Sequence, residues 1–307
     1  MNDKIKVLYI AGTARCGSTL LGNVLGQLDD FFHAGELWHI WDDGLASNIP
    51  CGCGVPFREC RVWRGVLEKM FGKANQPRPT EIIDLRNRTT RARHLPLLFL
   101  PGARSSLGNK LKSFLAYVEG VYRKLQETTG CRVIVDSSKN PSYAYVLSLA
   151  STIELYIVHP TRDPRAVAFS QRQPKFRPDT GSYLAKVSPA KSSIVWTLWN
   201  TSISMLAGRL RPRSLRLRHE DFVENPSRAV SRVASLFKGC TLDLSFIQHG
   251  GVNLSKQHTV SGNPIRLRSG YVELHRGEEW RTRMKRRDVL LVTATTWPFL
   301  RWYGYDL

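Results

Sequence analysis

Apolar and polar positions along the chain follow two rhythms. Residues 4–10, charged at Lys4 and Lys6 and then apolar, read as a β-branched strand. A glycine-bounded loop, 11–17, comes next. From Ser18, placed to cap a helix, Leu20, Leu21, Val24, Leu25 and Leu28 recur on one stripe. Strand, loop and helix in that order open a parallel α/β sheet. The same alternation returns downstream. Residues 132–135 and 153–158 read as strands, followed by Asp136-Ser-Ser-Lys-Asn-Pro and His159-Pro-Thr-Arg-Asp-Pro. Residues 215–217 read as a fourth strand. Between them lie helical stripes. One runs through Leu111, Phe114, Leu115, Val118, Tyr122 and Leu125, and Gly130 stops it. Another opens at Asp163-Pro164, a cap followed by proline at the first helical position. A long helix is expected over 192–209. Asn225-Pro226 starts a further one with Ala229, Val230, Val233, Ala234 and Phe237 inward. The last helix is expected over 288–296, with Pro298 ending or kinking it.

The stretch 41–108 breaks the rhythm. It holds Pro50, Pro56, Pro77, Pro79, Pro96 and Pro101 and a basic run with Arg86, Arg88, Arg91 and Arg93. It reads as an irregular insertion or lid on the acceptor side of one domain spanning 1–307. The alternation elsewhere predicts a doubly wound parallel sheet flanked by helices. Ligands of such sheets sit outside the carboxyl ends of the strands. Three polar clusters follow strands directly, around Arg15, Lys139 and Arg162.

Composition sharpens the picture. Of 307 residues 42% are apolar, enough for a sizeable core. A net charge of +20 favours anionic partners: nucleotides, nucleic acid, anionic lipid or sulfated sugars. Most of the basic residues are expected simply to face solvent. Six cysteines, Cys16, Cys51, Cys53, Cys60, Cys131 and Cys240, are too sparse for a disulfide framework. The first apolar run is short for a signal segment, and the uncharged run 192–208 falls short of the ~20 apolar residues a spanning helix needs. A cytoplasmic protein is expected.

Gly12-Thr-Ala-Arg-Cys-Gly-Ser-Thr19 has the spacing of a phosphate-binding loop, with Ser18 in place of its lysine. The glycines turn backbone N–H groups toward an anion, and the helix presents its positive end. The missing lysine argues against an ordinary kinase or NTPase. Asp136 is a poor match to the magnesium aspartate of such enzymes. Arg15 could supply the charge instead.

At these residues the chain resembles the sulfotransferases that use 3′-phosphoadenylyl sulfate, in particular the carbohydrate-type and bacterial branch. Arg15-Cys-Gly-Ser-Thr-Leu-Leu is similar to the family's 5′-phosphosulfate loop. Thr161-Arg162-Asp-Pro-Arg-Ala-Val-Ala-Phe-Ser170 is similar to its 3′-phosphate motif, an arginine followed by a serine. His219-Glu-Asp-Phe-Val-Glu-Asn-Pro226, Gly262-Asn-Pro-Ile-Arg266, Trp280 and Tyr303-Gly-Tyr305 resemble later family segments. The resemblance implies a P-loop-like sheet of about five strands. It also implies a nucleotide cosubstrate held by Arg15, Cys16, Gly17, Ser18, Thr19, Leu20, Arg162 and Ser170. Asn263, Arg266 and Arg268 are expected to close over it. His219 stands where many relatives have tyrosine at the adenine end.

Sulfuryl transfer needs positioning and charge stabilisation, for which Arg15 and Lys139 are placed. Animal-type members carry a Lys-x-His, and here Pro141 occupies the histidine position. Glu36 matches a glutamate base of carbohydrate-type members, with His39 as the rival. His33 is expected to be structural, as are Trp196 and Trp199. Cys51, Cys53 and Cys60 could ligate zinc with a fourth group such as His39, although no metal is expected to be required. The acceptor is expected to be a hydroxyl of a carbohydrate, lipid or small metabolite, with the arginine run hinting at an anionic or membrane-associated one. Other readings are a P-loop kinase or NTPase, and a basic nucleic-acid-binding protein. The exposed aromatics interleaved with basic residues that the latter needs are missing.

Overall fold

The computed structural model describes residues 4–72, 78–91 and 103–307. Arg93, Pro77, Pro96 and Pro101 lie outside the described residues. The central strand, Ile5–Ala11 (β1), is almost wholly buried past Lys6, which explains its apolar run 7–11. Parallel to it on one side runs Val133–Lys139 (β3), with Phe31–Gly35 (β2) beyond. On the other side come Ile153–Thr161 (β4) and then the later strand Ser214–Arg218. Register is regular: Val7 lies opposite both Ile134 and Leu155. All five strands are parallel. Chain order along the sheet reverses at β1, so that strand's carboxyl end is the crevice where a ligand is expected.

Each face of the sheet has its own core. One gathers Val7, Tyr9 and Ile134 with Trp63, Phe114, Tyr122, Leu147 and Ile203 from the helices. The other packs Leu8, Ile10 and Val135 against Leu21, Val24 and Leu25 of the helix Ser18–Leu25 (α1), and against Val230, Val233 and Phe237. Gly17, not Ser18, takes the N-cap position of α1, with Ser18 as the first helical residue. The caps expected downstream are made. Asp163 accepts from the Arg165 amide at 2.8 Å, and Asn225 from that of Arg228 at 3.0 Å.

Three expectations need correction. Phe31–Gly35 is a strand that periodicity missed: five residues carrying His33 and Gly35 show no pattern, and pairing with β3 defines the element. The stretch 41–108 is largely helical among its described residues. It contains a π-helical turn Ile40–Ala46, the helices Arg61–Phe71 and Pro79–Thr89, and the start of Ala103–Thr129, two helices that meet at a kink at Gly108 (φ 48°). Its apolar stripes are thin, Trp63 and Val66 in one helix and Ile82 in the next, so charged residues masked them. The last helix, Arg286–Tyr303, runs through Pro298 and ends at Gly304, in the left-handed conformation.

A small antiparallel sheet of Ile247–Gln248, Gly251–Leu254 and Gly270–Glu273 covers the α1 face. Among the described residues no helix is long and apolar enough to cross a membrane.

Candidate active site

Four strands end at one place. Ala11, Gly35, Lys139 and Thr161 are the last residues of β1, β2, β3 and β4, and each is followed by or carries a residue singled out above. A cavity of about 680 Å³ opens there. Arg15, Gly17, Ser18, Thr19 and Leu20 line it from the first loop. Arg162, Ser170 and His219 line it from the β4 side, and Glu36, His39, Lys139 and Asn263 from the other.

The first loop is held from beneath. A Cβ on Gly17 (φ +90°) would come within 2.5 Å of His219 Nδ1, so only glycine lets the loop lie on that ring. Burial, then the charge of Arg162, pushes the His219 pKa down to about 3. The imidazole is therefore neutral. The first-turn amides of α1 have no acceptor earlier in the helix, and Ser18, Thr19 and Leu20 all border the cavity. With the helix dipole they favour an anion there.

Arg162 follows β4 and meets this loop directly. Its Nη1 donates to the Arg15 carbonyl at 3.1 Å, while Nη2 reaches the Gly277 carbonyl at 3.4 Å. Its Nε is buried without a partner. Burial lowers the Arg162 pKa. Burial and then Arg162 itself lower that of Arg15. Lys175 stands in the same field: burial, then Arg15, Arg268 and Arg162, bring its ammonium down to about 8. Three cations crowd one wall, and a bound anion would relieve all of them. Structure behind the wall is firm. Trp196 donates to the Arg162 carbonyl at 3.0 Å. Trp280 stacks on Arg165, which forks onto Asp163. Tyr305 reaches Glu220 at 3.1 Å.

Across the cavity, Lys139 Nζ ion-pairs with Glu36 Oε1 and donates to the Ser137 carbonyl at 3.2 Å. Lys139 has a positive φ of 66°, as Arg15 has one of 71°. Such backbone costs of order 1–3 kcal/mol per residue and concentrates at functional sites. Glu36 is positioned by the segment that follows Thr259. Its amide donates to the Val260 carbonyl at 2.8 Å, and Val260 returns a bond to Ala34. A Cβ on Gly35 would lie 2.2 Å from the Val260 oxygen, so glycine permits this approach.

Not every expected residue reaches the cavity. Cys16 is buried beneath the loop, against Gly12. Arg266 is enclosed: it pairs with Asp179 at 2.9 Å and donates to the Pro50 and Thr259 carbonyls. That makes it a strut beneath the site, and its buried guanidinium has no open face for a phosphate. Arg268 is exposed outside the lining. Asp136 is buried, bonded to Tyr122 and to the Ser138 amide, and off the cavity. His33 is a core histidine on Ser137. His39 faces the cavity with its Nδ1 3.4 Å from Asp42. It is not the partner of the cysteine cluster; His258 is. Arg86 is buried on Asp42 and Trp38, whereas Arg88, paired with Asp84, and Arg91 stay exposed.

Sequence reasoning overlooked Phe169, Lys175, Arg177, His275 and Arg283, all in the lining. Phe169 neighbours Ser170, a signal that could have been used. Lys175 lies just past a helix in a stretch without pattern and gave none.

Known proteins share the family profile and the fold. The profile described as "Sulfotransferase family" matches residues 8–239. The sulfotransferase domain from the curacin biosynthetic pathway is 18% identical with a TM-score of 0.55, over 100% of this chain and 99% of that one. The sulfotransferase domain from the Synechococcus PCC 7002 olefin synthase is 17% identical with a TM-score of 0.53, over 100% and 97%. At such identities the two structures speak for the fold alone. No curated protein matches the chain.

Proposed function

The chain belongs to the sulfotransferase family, and from that premise we propose that it moves a sulfuryl group from 3′-phosphoadenylyl sulfate to a hydroxyl of an acceptor. The observation that carries this reading is the contact between Arg162 and the Arg15 loop across one cavity. Two anion-binding elements at the ends of adjacent strands suit the two charged ends of a single nucleotide. In this reading the loop amides and Arg15 hold the 5′-phosphosulfate. Arg162, with its unpartnered buried Nε, and Ser170 hold the 3′-phosphate, because a guanidinium matches phosphate oxygens in a fork. Lys175 adds charge to the same wall. His219, neutral and under Gly17, supports the loop and offers a ring edge toward the nucleotide.

For the transfer step, the acceptor oxygen forms the new O–S bond and the bond from sulfur to the bridging phosphate oxygen breaks. The hydroxyl proton goes to Glu36, the nucleotide leaves as the bisphosphate, and Lys139 and Arg15 stabilise charge on the departing oxygen. Lys139 is bonded to Glu36 and can shift toward the leaving oxygen as that charge grows. Among the described contacts it engages Oε1, which leaves Oε2 for the acceptor. His39 remains the rival base. The acceptor is a carbohydrate, lipid or small-metabolite hydroxyl entering on the Glu36 side, in a cytoplasmic setting.

Calorimetry with adenosine 3′,5′-bisphosphate tests the proposal. Hydrogen bonds to a charged group contribute about 1.5–3 kcal/mol, so Arg162→Ala should weaken binding about 10- to 150-fold. Indifference of the wild-type protein to this nucleotide, or an unchanged Kd in the variant, would overturn the assignment.

A further inference from the structure

Residues 51–60 fold into a tight loop around three thiols. The Cys51 amide donates to the Val55 carbonyl and the Gly54 amide to the Cys51 carbonyl, both at 2.8 Å. Cys60 then leads into the helix Arg61–Phe71. The segment before Val260 lies against this loop. Gly52 donates to the Thr259 carbonyl at 2.9 Å, and a Cβ on Gly52 would sit 2.6 Å from the Gln257 oxygen. This approach of two backbones brings His258 onto the thiols. Cys60 Sγ lies 3.1 Å from His258 Nδ1 and 3.9 Å from Cys53 Sγ. The ligand atoms of Cys51, Cys53, Cys60 and His258 all lie within 4.8 Å of one another.

We propose that Cys51, Cys53, Cys60 and His258 form a tetrahedral zinc site that staples the 51–60 loop to the chain beside Glu36. With Zn–S near 2.3 Å and Zn–N near 2.0–2.1 Å, a tetrahedron places sulfurs about 3.8 Å apart and sulfur about 3.5 Å from nitrogen. The separations of 3.9 and 3.1 Å need to move by only a few tenths of an ångström. Three thiolates and an imidazole select zinc over magnesium or calcium, which prefer oxygen ligands. Four protein ligands leave no open position, so the ion is structural. None of the four lines the cavity, and sulfuryl transfer stays with the protein side chains. The staple acts on the site through its neighbours. Two residues past His258, Val260 pairs with β2, and Gly262 packs against the Glu36 carboxylate. Binding displaces the thiol protons to solvent, and the metal's binding energy becomes folding energy of this corner.

The test is elemental analysis of tag-free, full-length protein purified under reducing conditions. We expect one equivalent of zinc, thiolate-to-metal absorption after cobalt exchange, and loss of the metal in Cys60→Ser and in His258→Ala. Cys131→Ser, outside the cluster, should keep it. Should the variants fail to fold, titration of the wild-type protein with a mercurial supplies the readout, because zinc must be released in step with thiol modification. Three results would overturn the proposal. They are substoichiometric zinc that does not rise on adding zinc to reduced protein, full zinc in either ligand variant, and a disulfide between Cys53 and Cys60 by mass.

Discussion

The cationic wall makes a prediction about pH. Lys175 is held at a pKa of about 8 by burial, then by Arg15, Arg268 and Arg162. An anion bound against that wall should return the ammonium to at least its ordinary 10.5. Binding then takes up a proton above pH 8, and affinity falls as pH rises. With those two values, the ratio of protonation terms predicts about a tenfold weaker Kd at pH 9 than at pH 7. Lys175 is only partly withdrawn from water, so solvent screening trims this, and we expect a fall of about three- to tenfold. The assay is calorimetric titration with adenosine 3′,5′-bisphosphate at fixed ionic strength from pH 7 to 9, on wild type and Lys175→Met. The variant should bind more weakly at pH 7 and lose the slope. Linkage in the free protein runs the other way. The folded state holds the Lys175 proton less tightly than the unfolded chain, so this penalty is full below pH 8 and fades as pH climbs toward 10.5. Lys175→Met should accordingly melt higher than wild type at pH 7. An affinity flat from pH 7 to 9, or an equal slope in Lys175→Met, would refute the reasoning.

Other outcomes follow from the same geometry. Glu36→Gln should cut kcat about 100-fold or more, the scale of a lost general base, with the bisphosphate Kd unchanged or tighter because Lys139 is freed; activity within a few-fold of wild type would hand the role to His39. Arg266→Ala should cost about 1.5–3 kcal/mol in urea unfolding, the scale of hydrogen bonds to a charged group, since Asp179 keeps its pair with Arg177, and a cost under ~1 kcal/mol would return Arg266 to the pool of ligand-binding residues.

Much of the site was legible in the chain because its parts are local. A loop between two glycines, a proline at the first helical position and an arginine just past an apolar strand are each written within a dozen residues. Backbone sterics and burial periodicity place them at strand ends whatever surrounds them. The parallel sheet was legible for the same reason: β1, β3 and β4 are largely buried, and each carries an apolar stretch, at 7–11, 133–135 and 155–158.

What the chain alone did not decide was assembled from distant partners. Phe31–Gly35 is a strand because β3 and Val260 pair with it. Arg266 turned inward because Asp179, far off in sequence, lies buried beside it, and the same surface arginine pattern would serve equally well for a phosphate ligand. Lys175 joined the wall from a stretch with no period. Cys60 met His258, 198 residues away, in place of the nearer His39. Hydrophobic rhythm specifies which face of an element is buried, but a polar side chain takes whatever partner the packed elements bring within hydrogen-bonding reach. Local sequence therefore determined the frame and the anion-binding loops, and tertiary packing decided which charges face the cavity and which hold it up.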